Sequence, residues 1–383
     1  LKEKEKCVCE HTGVSYKPSS DDIGKYVSVI IDLGEDTIKR FAVTKNPVAA
    51  VPEEQLIFEE RQNVKVIEVR LRVMSYNILA DLYLNLRQPQ DDLFFPYCPK
   101  VYQEYAYRYP LLLREIPGYN ADLIFLQEVD ERFRRRFLLP YMEELGYETR
   151  FKKKGLAVTE GLAICFRKDK LRFVLIFLNV IPSHLIKNVD IINYLDQNLQ
   201  LKEHFFSRPA VIQLLLLGST TDEDVLLMAG NTHLHYDPQE ENIKVMQALL
   251  CARHIAHKAQ ELQLKHPNGK IYKLLAGDFN STPDGPVYDL ISKGILGTSV
   301  STFLNPMLSL VGDPPYTNYT RFTRNGDILG FSGCLDYIWG DPGIKVVQTI
   351  PMPSDELVKK HTALPSVISP SDHLPLICDI LLQ

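Results

Sequence analysis

The sequence predicts a mixed α/β fold in which β-sheets pack inside layers of helices. Three patterns support this prediction. Short runs of apolar residues recur from residue 73 to the carboxyl terminus, and they are continuously apolar, as expected for strands covered on both faces. Segments with apolar residues spaced at threes and fours lie between these runs, as in amphipathic helices. Polar side chains follow most of the runs, which indicates a site at one end of the sheets.

The first part of the chain differs from the rest. Val27–Leu33 and Ile38–Val43 predict two short strands around a polar turn, and two prolines interrupt the segment that follows. Gln62–Arg72 returns to strand-like alternation. We therefore predict a small all-β module at residues 1–68 and a larger domain at 69–383. The sequence leaves open whether the module supports the larger domain or extends a substrate groove.

The larger domain contains strand and helix candidates in alternation. The predicted strands are Val73–Tyr76, Leu123–Leu126, Leu162–Phe166, Leu226–Ala229, Lys273–Ala276 and Leu374–Ile380. The predicted helices are Tyr105–Glu115, Phe133–Leu145 and Asn242–Leu262. With 383 residues, the chain is long enough to bury a large core in this domain.

Composition narrows the function classes. The longest apolar runs are too short to cross a bilayer, so we expect no membrane association. The formal net charge of −5 argues against a general nucleic-acid coat, which needs a broad basic surface. It does not exclude a nuclease, because bound metal ions offset acidic residues. Seven scattered cysteines indicate a reducing compartment. The chain opens on Leu1 rather than Met, so we expect that a preceding segment is missing.

Two basic runs stand out against this acidic background. Arg132 and Arg134–Arg136 form the first run, and Lys152–Lys154 form the second. Such runs are commonly solvated faces of helices and loops, and they can also steer phosphate groups toward a site. The sequence leaves both interpretations open.

Side chains that can bind a hard metal ion or a phosphate follow the apolar strands. They are Asn77, Glu128, Asn231, His233, Asp278, Asn280, Asp336, Asp372 and His373. Each one alone is more commonly a turn former, a cap or a structural histidine. Together, oxygen ligands without thiolates suit Mg²⁺ or Mn²⁺, and neighbouring histidines can donate to a phosphoryl oxygen. With no serine or cysteine nucleophile motif, the pattern predicts metal-assisted phosphoryl transfer to water.

The order of these residues resembles a known superfamily. VMSYNILADLY, LIFLQEVDE, EGLAICFRKDK, NTHLHYDPQEENIKVMQ, AGDFNSTPDG, GCLDYIWG and SDHLPL are similar to successive motifs of the endonuclease/exonuclease/phosphatase superfamily, over roughly residues 70–383. This resemblance implies a DNase I-like fold, a two-sheet β-sandwich flanked by helices in four layers. SYNILAD, HLHYDP and GDFNS resemble the deadenylase branch. Within that branch, the mitochondrial 2′,5′-phosphodiesterase type also places a small β module before the catalytic domain.

The resemblance also implies roles for individual residues. The implied metal ligands are Glu128, Asp278, Asn280 and Asp372. The implied catalytic residues are Asn77, His233, Asp278, Asn280, Asp336 and His373, with Asp278 activating water, His373 and His233 facing the phosphate, and Asp336 orienting His373. The implied substrate contacts are Asn231 and, around a terminal base, Phe331 and Pro238. Stacking on such groups tolerates any base, so it provides affinity before specificity.

The expected function is therefore a magnesium-dependent phosphodiesterase and exoribonuclease, in which Mn²⁺ can substitute for Mg²⁺. From the resemblance we expect hydrolysis of 2′,5′-oligoadenylates and 3′,5′-linked poly(A) tails with release of AMP. We also expect adenine-rich RNA or 2′,5′-oligoadenylate as the partner, no obligate protein partner, a monomer and a location in the mitochondrial matrix. The sequence does not decide between the two linkages.

Two alternatives remain at this point. The first is another phosphohydrolase of the superfamily. An enzyme acting on phosphoinositides would show a tryptophan-rich pattern, and an enzyme acting on apurinic sites would show a basic DNA-binding face. The chain has only Trp339, and its net charge is negative. A catalytically dead relative that binds RNA or protein would lack a metal carboxylate or a phosphate-facing histidine, and this chain retains both.

Overall fold

The structure is a computed structural model of the chain, and it divides into two compact units, Leu1–Gln55 and Leu56–Gln383. It describes residues 18–31, 40–44, 47–48, 52–67, 70–155, 158–180, 188–208, 210–297 and 300–382, together with positions 12, 16 and 50. No described helix has both the length and the apolar composition that a membrane crossing requires.

The described strands are, in chain order, β1 (Ser28–Ile31), β2 (Arg40–Val43), β3 (Leu71–Asn77), β4 (Leu123–Asp130), β5 (Tyr147–Lys153), β6 (Glu160–Arg167), β7 (Leu171–Val180), β8 (Val211–Ser219), β9 (Val225–His233), β10 (Lys270–Asp278), β11 (Ile295–Leu296), β12 (Val300–Ser301), β13 (Leu308–Ser309), β14 (Asn318–Tyr319), β15 (Phe322–Arg324), β16 (Asp327–Leu329), β17 (Ser332–Gly333), β18 (Asp336–Gly340), β19 (Ile344–Thr349) and β20 (Leu376–Leu382). The described α-helices are α1 (Glu59–Gln62), α2 (Lys100–Gln103), α3 (Tyr105–Gly118), α4 (Glu131–Phe133), α5 (Leu139–Glu144), α6 (Val189–Asp196), α7 (Leu199–Ser207), α8 (Glu241–Lys265), α9 (Pro286–Lys293) and α10 (Asp355–Lys359).

Two six-stranded sheets form the centre of the larger unit. The first sheet has the order β19-β20-β3-β4-β6-β5, and the second has the order β13-β18-β10-β9-β8-β7. Each contains a parallel pair at its centre, β3 with β4 and β9 with β10, and antiparallel neighbours around it. The remaining described strands form four two-stranded sheets.

Both faces of the central strands are buried, which explains why their sequences are continuously apolar. In β4, Leu123 and Phe125 belong to the core between the two sheets. Ile124 and Leu126 point the other way and pack under the helices that cover the first sheet. A third core lies between the second sheet and α8. The unit therefore has four layers, helices, sheet, sheet and helices, and the predicted fold class is confirmed.

The predicted helices are present with shifted ends. α3 begins at Tyr105 as predicted and runs to Gly118, and α8 exceeds the predicted Asn242–Leu262 by a few residues. The predicted helix Phe133–Leu145 consists of α4, a π-helical turn at Arg134–Leu138 and α5. A π-helical turn shifts the side-chain phase within a helix, which periodicity in the sequence does not reveal.

The smaller unit contains an antiparallel pair, β1 with β2, and a parallel bridge between Ile23 and Val48. The predicted turn between these strands lies outside the described residues. The division between the units falls after Gln55, before the predicted boundary at residue 68. The assignment of the two domains stays a prediction. Leu56, Ile57 and Phe58 are buried in the core beneath the first sheet, and the short helix α1 follows them. Among the described residues of the predicted alternation at Gln62–Arg72, Gln62 belongs to α1, and Leu71 and Arg72 belong to the strand β3. The function of the smaller unit stays a prediction.

The ends of the central strands meet along one edge of the two sheets, which we call the rim. In the first sheet, β3 ends at Asn77, and the antiparallel β6 begins at Glu160. In the second sheet, β9 ends at His233 and β10 ends at Asp278, while the antiparallel β18 begins at Asp336. The register of the ladders thus brings residues far apart in sequence to one place.

At the opposite end of β3, a buried ion pair joins the first sheet to its surroundings. Arg72 donates from Nε and Nη2 to the two carboxylate oxygens of Asp379, at 2.6 and 3.0 Å. Both side chains are almost fully buried. The remaining guanidinium hydrogens donate to the carbonyls of Val64, Lys65 and Tyr119, so the Arg72 charge depends on Asp379 for compensation.

We expect Asp379→Ala to lower the free energy of unfolding by about 3–5 kcal/mol, because it leaves the Arg72 charge buried without its partner. Urea denaturation measures this loss. Asp289→Ala is the matched control, since Asp289 forms an exposed ion pair with Lys293, and such pairs contribute at most about 1 kcal/mol. Equal effects of the two substitutions would contradict the interpretation.

Candidate active site

Asp278 lies at the centre of the rim. It pairs with His233 in the parallel ladder of β9 and β10, and with Asp336 in the antiparallel ladder of β10 and β18. The Nε2 atoms of His233 and His373 are each 3.7 Å from Asp278 Oδ2. Burial raises the pKa of Asp278 to about 6, and the nearby Asp336 carboxylate adds to the increase. A carboxylate with a pKa in this range can accept a proton near neutral pH.

Asn77 connects the two sheets at the rim. Its Nδ2 donates to Glu128 Oε1 at 3.1 Å and to Asp278 Oδ2 at 3.0 Å, so one amide holds a carboxylate from each sheet. Its Oδ1 accepts the backbone N–H of Leu79, which orders the loop after β3. Asn77 therefore positions the two acidic groups that the sequence assigned to metal binding and water activation.

Glu128 is aimed at the site by a bulge in the first sheet. The register between β4 and β6 shifts between Leu126 and Val129, and Glu128 has a φ of 56°, in the left-handed region that non-glycine residues seldom adopt. Its Oε2 accepts the backbone N–H of Ala80 at 2.8 Å. Strained backbone of this kind is concentrated at functional sites.

Asn231 occupies the interior between the sheets, just behind the bulge. Its Nδ2 donates to the carbonyls of Leu126 at 3.0 Å and Ala163 at 3.1 Å, and its Oδ1 accepts from Gln127 Nε2 at 2.8 Å. Its side chain has no exposed surface. The expectation of a substrate contact is therefore corrected. We assign Asn231 to the support of the bulge, because its amide is already fully engaged inside the protein.

His373 and Asp336 form a hydrogen-bonded pair, with His373 Nδ1 2.8 Å from Asp336 Oδ2. Burial lowers the pKa of His373, but the surrounding carboxylates of Asp336, Asp372 and Asp278 outweigh burial and raise that pKa well above its usual value. These carboxylates therefore favour the protonated form of the imidazole. Its Nε2–H faces Asp278 and can donate to a phosphoryl oxygen at the same place.

The surroundings of His233, in contrast, favour its neutral form. Burial lowers its pKa well below the usual value, and the positive charges of Lys154 and His373 add to the decrease. Lys154 Nζ lies 3.3 Å from His233 Nδ1 and 3.4 Å from Glu160. An ammonium group can only donate, so Nδ1 accepts and the proton of neutral His233 is on Nε2, facing Asp278. Both histidines thus present an N–H donor to the same point.

Sequence reasoning assigned no specific role to Lys154 or Glu160. Glu160 opens the EGLAICFR motif, and Lys154 ends one of the basic runs, so both residues were in segments already singled out. Glu160 is fully buried and accepts a hydrogen bond from Tyr83 at 3.1 Å. Only the pairing of β5 with β6 brings this lysine and this glutamate together beside His233.

A cation fits the acidic side of the site. Burial raises the pKa of Glu128 to about 7, and the charges of Asp372 and Glu160 contribute to the increase. Asp372 Oδ2 accepts from Asn318 Nδ2 at 2.9 Å, whereas Asp372 Oδ1 is buried and has no hydrogen-bond partner among the described residues. Unpaired carboxylate oxygen in the interior is costly unless a cation compensates it. Glu128 and Asp372 therefore fit a bound metal ion.

Asn280 also has a left-handed backbone, with a φ of 49°. Its N–H donates to Asp278 Oδ1 at 2.9 Å, and its Nδ2 donates to the carbonyl of Leu234 at 3.1 Å. Lys244, nearly buried in α8, donates to the Asn280 carbonyl at 2.9 Å. These contacts hold the strained turn, so the side-chain oxygen of Asn280 is the atom left for a metal ion or a phosphate.

Arg108 holds the loops on either side of the site. It is fully buried in α3, and its guanidinium donates to the carbonyls of Ile78, Leu79 and Pro370 and to the Asp81 carboxylate. The loop after β3 and the loop before His373 are thus fixed to one charged group. The sequence contained no signal for this role beyond the tyrosine-rich segment in which Arg108 lies.

The two predicted base contacts lie on surface loops. Phe331 is 40% exposed and directly precedes β17, and its backbone N–H and carbonyl are bonded to Thr320. Pro238 is exposed in the loop between β9 and α8. Both side chains are accessible to a ligand, and their role as base contacts stays a prediction.

A second group of possible ligands lies next to the rim. His235, Asp237 and Glu240 have ligand atoms within 4.8 Å of one another. Glu240 already contacts His235 at 2.5 Å and His204 at 2.8 Å, and Arg208 donates to it at 3.0 Å. The guanidinium of Arg208 supplies the positive charge there, so we interpret the group as an ion-pair junction between α7 and the loop before α8.

Residues 74–373 match the family described as the endonuclease/exonuclease/phosphatase family. The chain is 34% identical to the 2',5'-phosphodiesterase 12 of Mus musculus over 399 aligned positions, which cover 96% of this chain and 62% of the mouse protein. It is 25% identical to the CCR4-Not complex 3'-5'-exoribonuclease subunit Ccr4 of Schizosaccharomyces pombe over 355 positions, covering 81% and 49% of the two chains. The chain thus spans less than two thirds of the length of these relatives.

Solved structures with the same fold are more distant in sequence. ANGEL2, a 2',3'-cyclic phosphatase, superposes with a TM-score of 0.63 at 22% identity and covers 81% of this chain and 95% of its own. An endonuclease/exonuclease/phosphatase from Bacteroides vulgatus superposes with a TM-score of 0.53 at 18% identity and covers 82% and 100% of the two chains. At this level of identity, these likenesses establish the fold alone.

We expect Asn231→Leu to lower the free energy of unfolding by about 2–4 kcal/mol, because it removes the buried hydrogen bonds to the carbonyls of Leu126 and Ala163 and to the Gln127 amide. Activity should decrease with stability, since the bulge that aims Glu128 loses its support. Urea denaturation and turnover measure the two effects. Asn242→Leu, at an exposed position of α8, is the matched control. Unchanged stability with a raised KM would instead restore the substrate-contact interpretation.

Proposed function

Because the chain belongs to the endonuclease/exonuclease/phosphatase family, we propose that it is a magnesium-dependent phosphodiesterase that removes adenylate from the ends of adenine-rich RNA. The proposed substrates are 2′,5′-oligoadenylates and 3′,5′-linked poly(A), and the released product is AMP. One observation carries the proposal. The side chains of His233 and His373, whose pKa values are shifted in opposite directions, converge on the carboxylate of Asp278. The acidic side chains of Glu128 and Asp372 lie beside them.

The names of the relatives support this substrate class. The mouse relative is a 2′,5′-phosphodiesterase, and the Schizosaccharomyces pombe relative is a 3′-5′-exoribonuclease. Both names describe cleavage of a phosphodiester, and the second specifies cleavage from the end of an RNA. Mitochondrial location, the monomeric state and the absence of an obligate protein partner stay part of the proposal and rest on resemblance.

The proposed reaction is an in-line displacement at phosphorus. Asp278 accepts a proton from water, and the water oxygen bonds to phosphorus as the bond from phosphorus to the 2′ or 3′ oxygen breaks. The products are AMP and a strand shortened by one nucleotide, whose released oxygen takes up a proton. The pKa of Asp278, raised to about 6 mainly by burial, suits a base that works near neutral pH.

His373 and His233 stabilise the charge that develops on the phosphoryl oxygens. The protonated His373 contributes a positive charge and an N–H donor, and Asp336 fixes its ring. Neutral His233 contributes a second donor, with its ring held by Lys154. Donors that are already in place cost no reorganisation when charge develops, which is the main advantage of such a site over water.

Glu128 and Asp372, with Asn280 and Asp278 beside them, would hold the metal ion. Mg²⁺ is the expected ion, because the available ligands are carboxylate and amide oxygens, and Mn²⁺ has similar preferences. When bound, the ion neutralises charge on the phosphoryl oxygens. The carboxylates on this side of the site provide the negative charge that retains it.

A time course with Mg²⁺ on 5′-labelled oligoadenylates of both linkages, beside oligouridylate, tests the proposal. We expect stepwise release of AMP that stops with EDTA. Glu128→Gln should reduce turnover by about a thousandfold or more, because several kcal/mol of charge stabilisation depends on the ion. Glu143→Gln, at an exposed position of α5, is the matched control.

Two results would contradict the proposal. Full turnover of Glu128→Gln at saturating Mg²⁺ would rule out the metal assignment. No cleavage of any oligonucleotide by the unmodified protein would rule out the RNA substrate and direct attention to phosphoinositides or apurinic sites.

Phe331→Ala tests the base contact. We expect it to raise KM for diadenylate about 5- to 150-fold, which corresponds to a stacking contribution of about 1–3 kcal/mol. Ile328→Ala removes another exposed apolar side chain of the same region and serves as the control. Steady-state kinetics with both variants measure KM for diadenylate. An equal increase of KM in the two variants would argue against stacking on Phe331.

A further inference from the structure

The fold joins the two basic runs of the sequence into one surface. Arg134 lies over the ring of Phe151 in β5, with its guanidinium carbon 4.6 Å from the ring centroid. Glu131 is at the junction: hydrogen bonding to Arg134 lowers its pKa, and the nearby charges of Arg135 and Lys153 contribute to the decrease. Residues from the helical segment and from β5, separated by about twenty positions along the chain, therefore share one electrostatic environment.

This surface is continuous with the active site. Lys153 ends β5, and Lys154 directly after it contacts His233 and Glu160. Glu160 in turn accepts the hydroxyl of Tyr83, whose side chain is 44% exposed. We call Arg132, Arg135, Lys153 and Lys154 the basic strip. Its last member belongs to the active site, and the other three lead away from it.

Exposed aromatic rings accompany the strip. The guanidinium carbon of Arg132 lies 3.8 Å from the ring centroid of Tyr105, and Tyr105 is 40% exposed. Tyr105 packs on Tyr109, which donates to Asp81 at the start of the short turn that contains Tyr83. Cations interleaved with accessible rings are the combination that binds single-stranded nucleic acid, since phosphates contact the cations and bases stack on the rings.

The strip and the predicted base contact lie on different sides of Asp278. In the second sheet, β18 with Asp336 and β9 with His233 flank β10. Phe331 precedes β17, which pairs with β14, and β14 bridges to His373. In the first sheet, β20 after His373 lies on one side of β3, whereas β6 and β5 lie on the other. Phe331 thus belongs to the His373 side, and the strip belongs to the His233 side.

We propose that the basic strip binds the backbone phosphates of the single-stranded RNA that precedes the scissile bond, while the terminal nucleotide lies on the Phe331 side. This inference rests on the proposed function and deepens it, because it makes long strands better substrates than short ones. Arg134 and Arg135 pair with Glu131, and Lys154 pairs with Glu160. Arg132 and Lys153 add two further cations to these three, so the surface carries positive charge although the whole chain is acidic.

The test removes the charges of the strip outside the active site, in the triple variant Arg132→Gln, Arg135→Gln and Lys153→Gln. Lys154 is left unchanged because it contacts His233. The matched control replaces three exposed lysines at the opposite end of the sheets by glutamine, Lys168, Lys265 and Lys270. Binding of a long single-stranded oligoadenylate is measured in EDTA by fluorescence anisotropy, and cleavage of the same strand and of diadenylate is measured with Mg²⁺.

We expect the triple variant to weaken binding of the long strand by about tenfold or more at physiological salt, and to lower the dependence of log Kd on log salt by about 0.7 for each phosphate that the variant no longer neutralises. KM for the long strand should rise in parallel, while diadenylate cleavage should stay within about twofold, because a dinucleotide has no upstream phosphates to contact the strip. Tyr105→Ala should also weaken binding of the long strand.

Four results would overturn the inference: unchanged binding in the triple variant, an equal loss in the control, an equal loss on diadenylate, or displacement of RNA by poly-glutamate at comparable charge concentration, which would indicate an acidic protein partner. The binding measurement in EDTA needs no cleavage. A protein that binds the long strand through the strip but cleaves no RNA would therefore refute the proposed function and leave the strip supported.

Discussion

The site depends on one buried amide contact between the two sheets. Asn231 of β9 donates to the carbonyls of Leu126 and Ala163 and accepts from Gln127, at the place where β4 bulges. The bulge disturbs the ladder between β4 and β6, and an unpaired carbonyl in the interior costs about 1–3 kcal/mol, so the amide makes the irregular backbone tolerable. Glu128 follows directly and takes a left-handed conformation that aims its carboxylate at the rim.

The packing of the two sheets also shifts the pKa values of two neighbouring histidines in opposite directions, upward for His373 and downward for His233. Both are buried, and burial disfavours the charged form of each. Carboxylates surround His373 and outweigh burial, whereas Lys154 and the charge of His373 reinforce burial at His233. The difference therefore comes from neighbours supplied by other strands. A site that offers two N–H donors and one base to the same point needs this asymmetry, because two adjacent imidazolium groups would repel each other.

Much of the site was predictable from the sequence, since a polar residue after an apolar strand must emerge at the end of a sheet. Asn77, Glu128, His233, Asp278, Asp336 and His373 were all identified in this way, and the structure brings them together. Asn231 follows the same pattern, yet it lies inside. Lys154, Glu160 and Arg108 were not assigned roles, because a lysine in a basic run or an arginine in a helix has the same local pattern whether it is solvated or buried.

By itself, the sequence determined the mixed α/β class, the order of the strands along the chain and the residues capable of metal and phosphate chemistry, because periodicity and residue type are local properties. The tertiary structure decided which strands are neighbours, and with them the bulge at Glu128, the protonation of each histidine and the joining of two basic runs beside His233. Register and burial are set by contacts between residues far apart in the chain, and electrostatic energies follow distance in space rather than along the sequence.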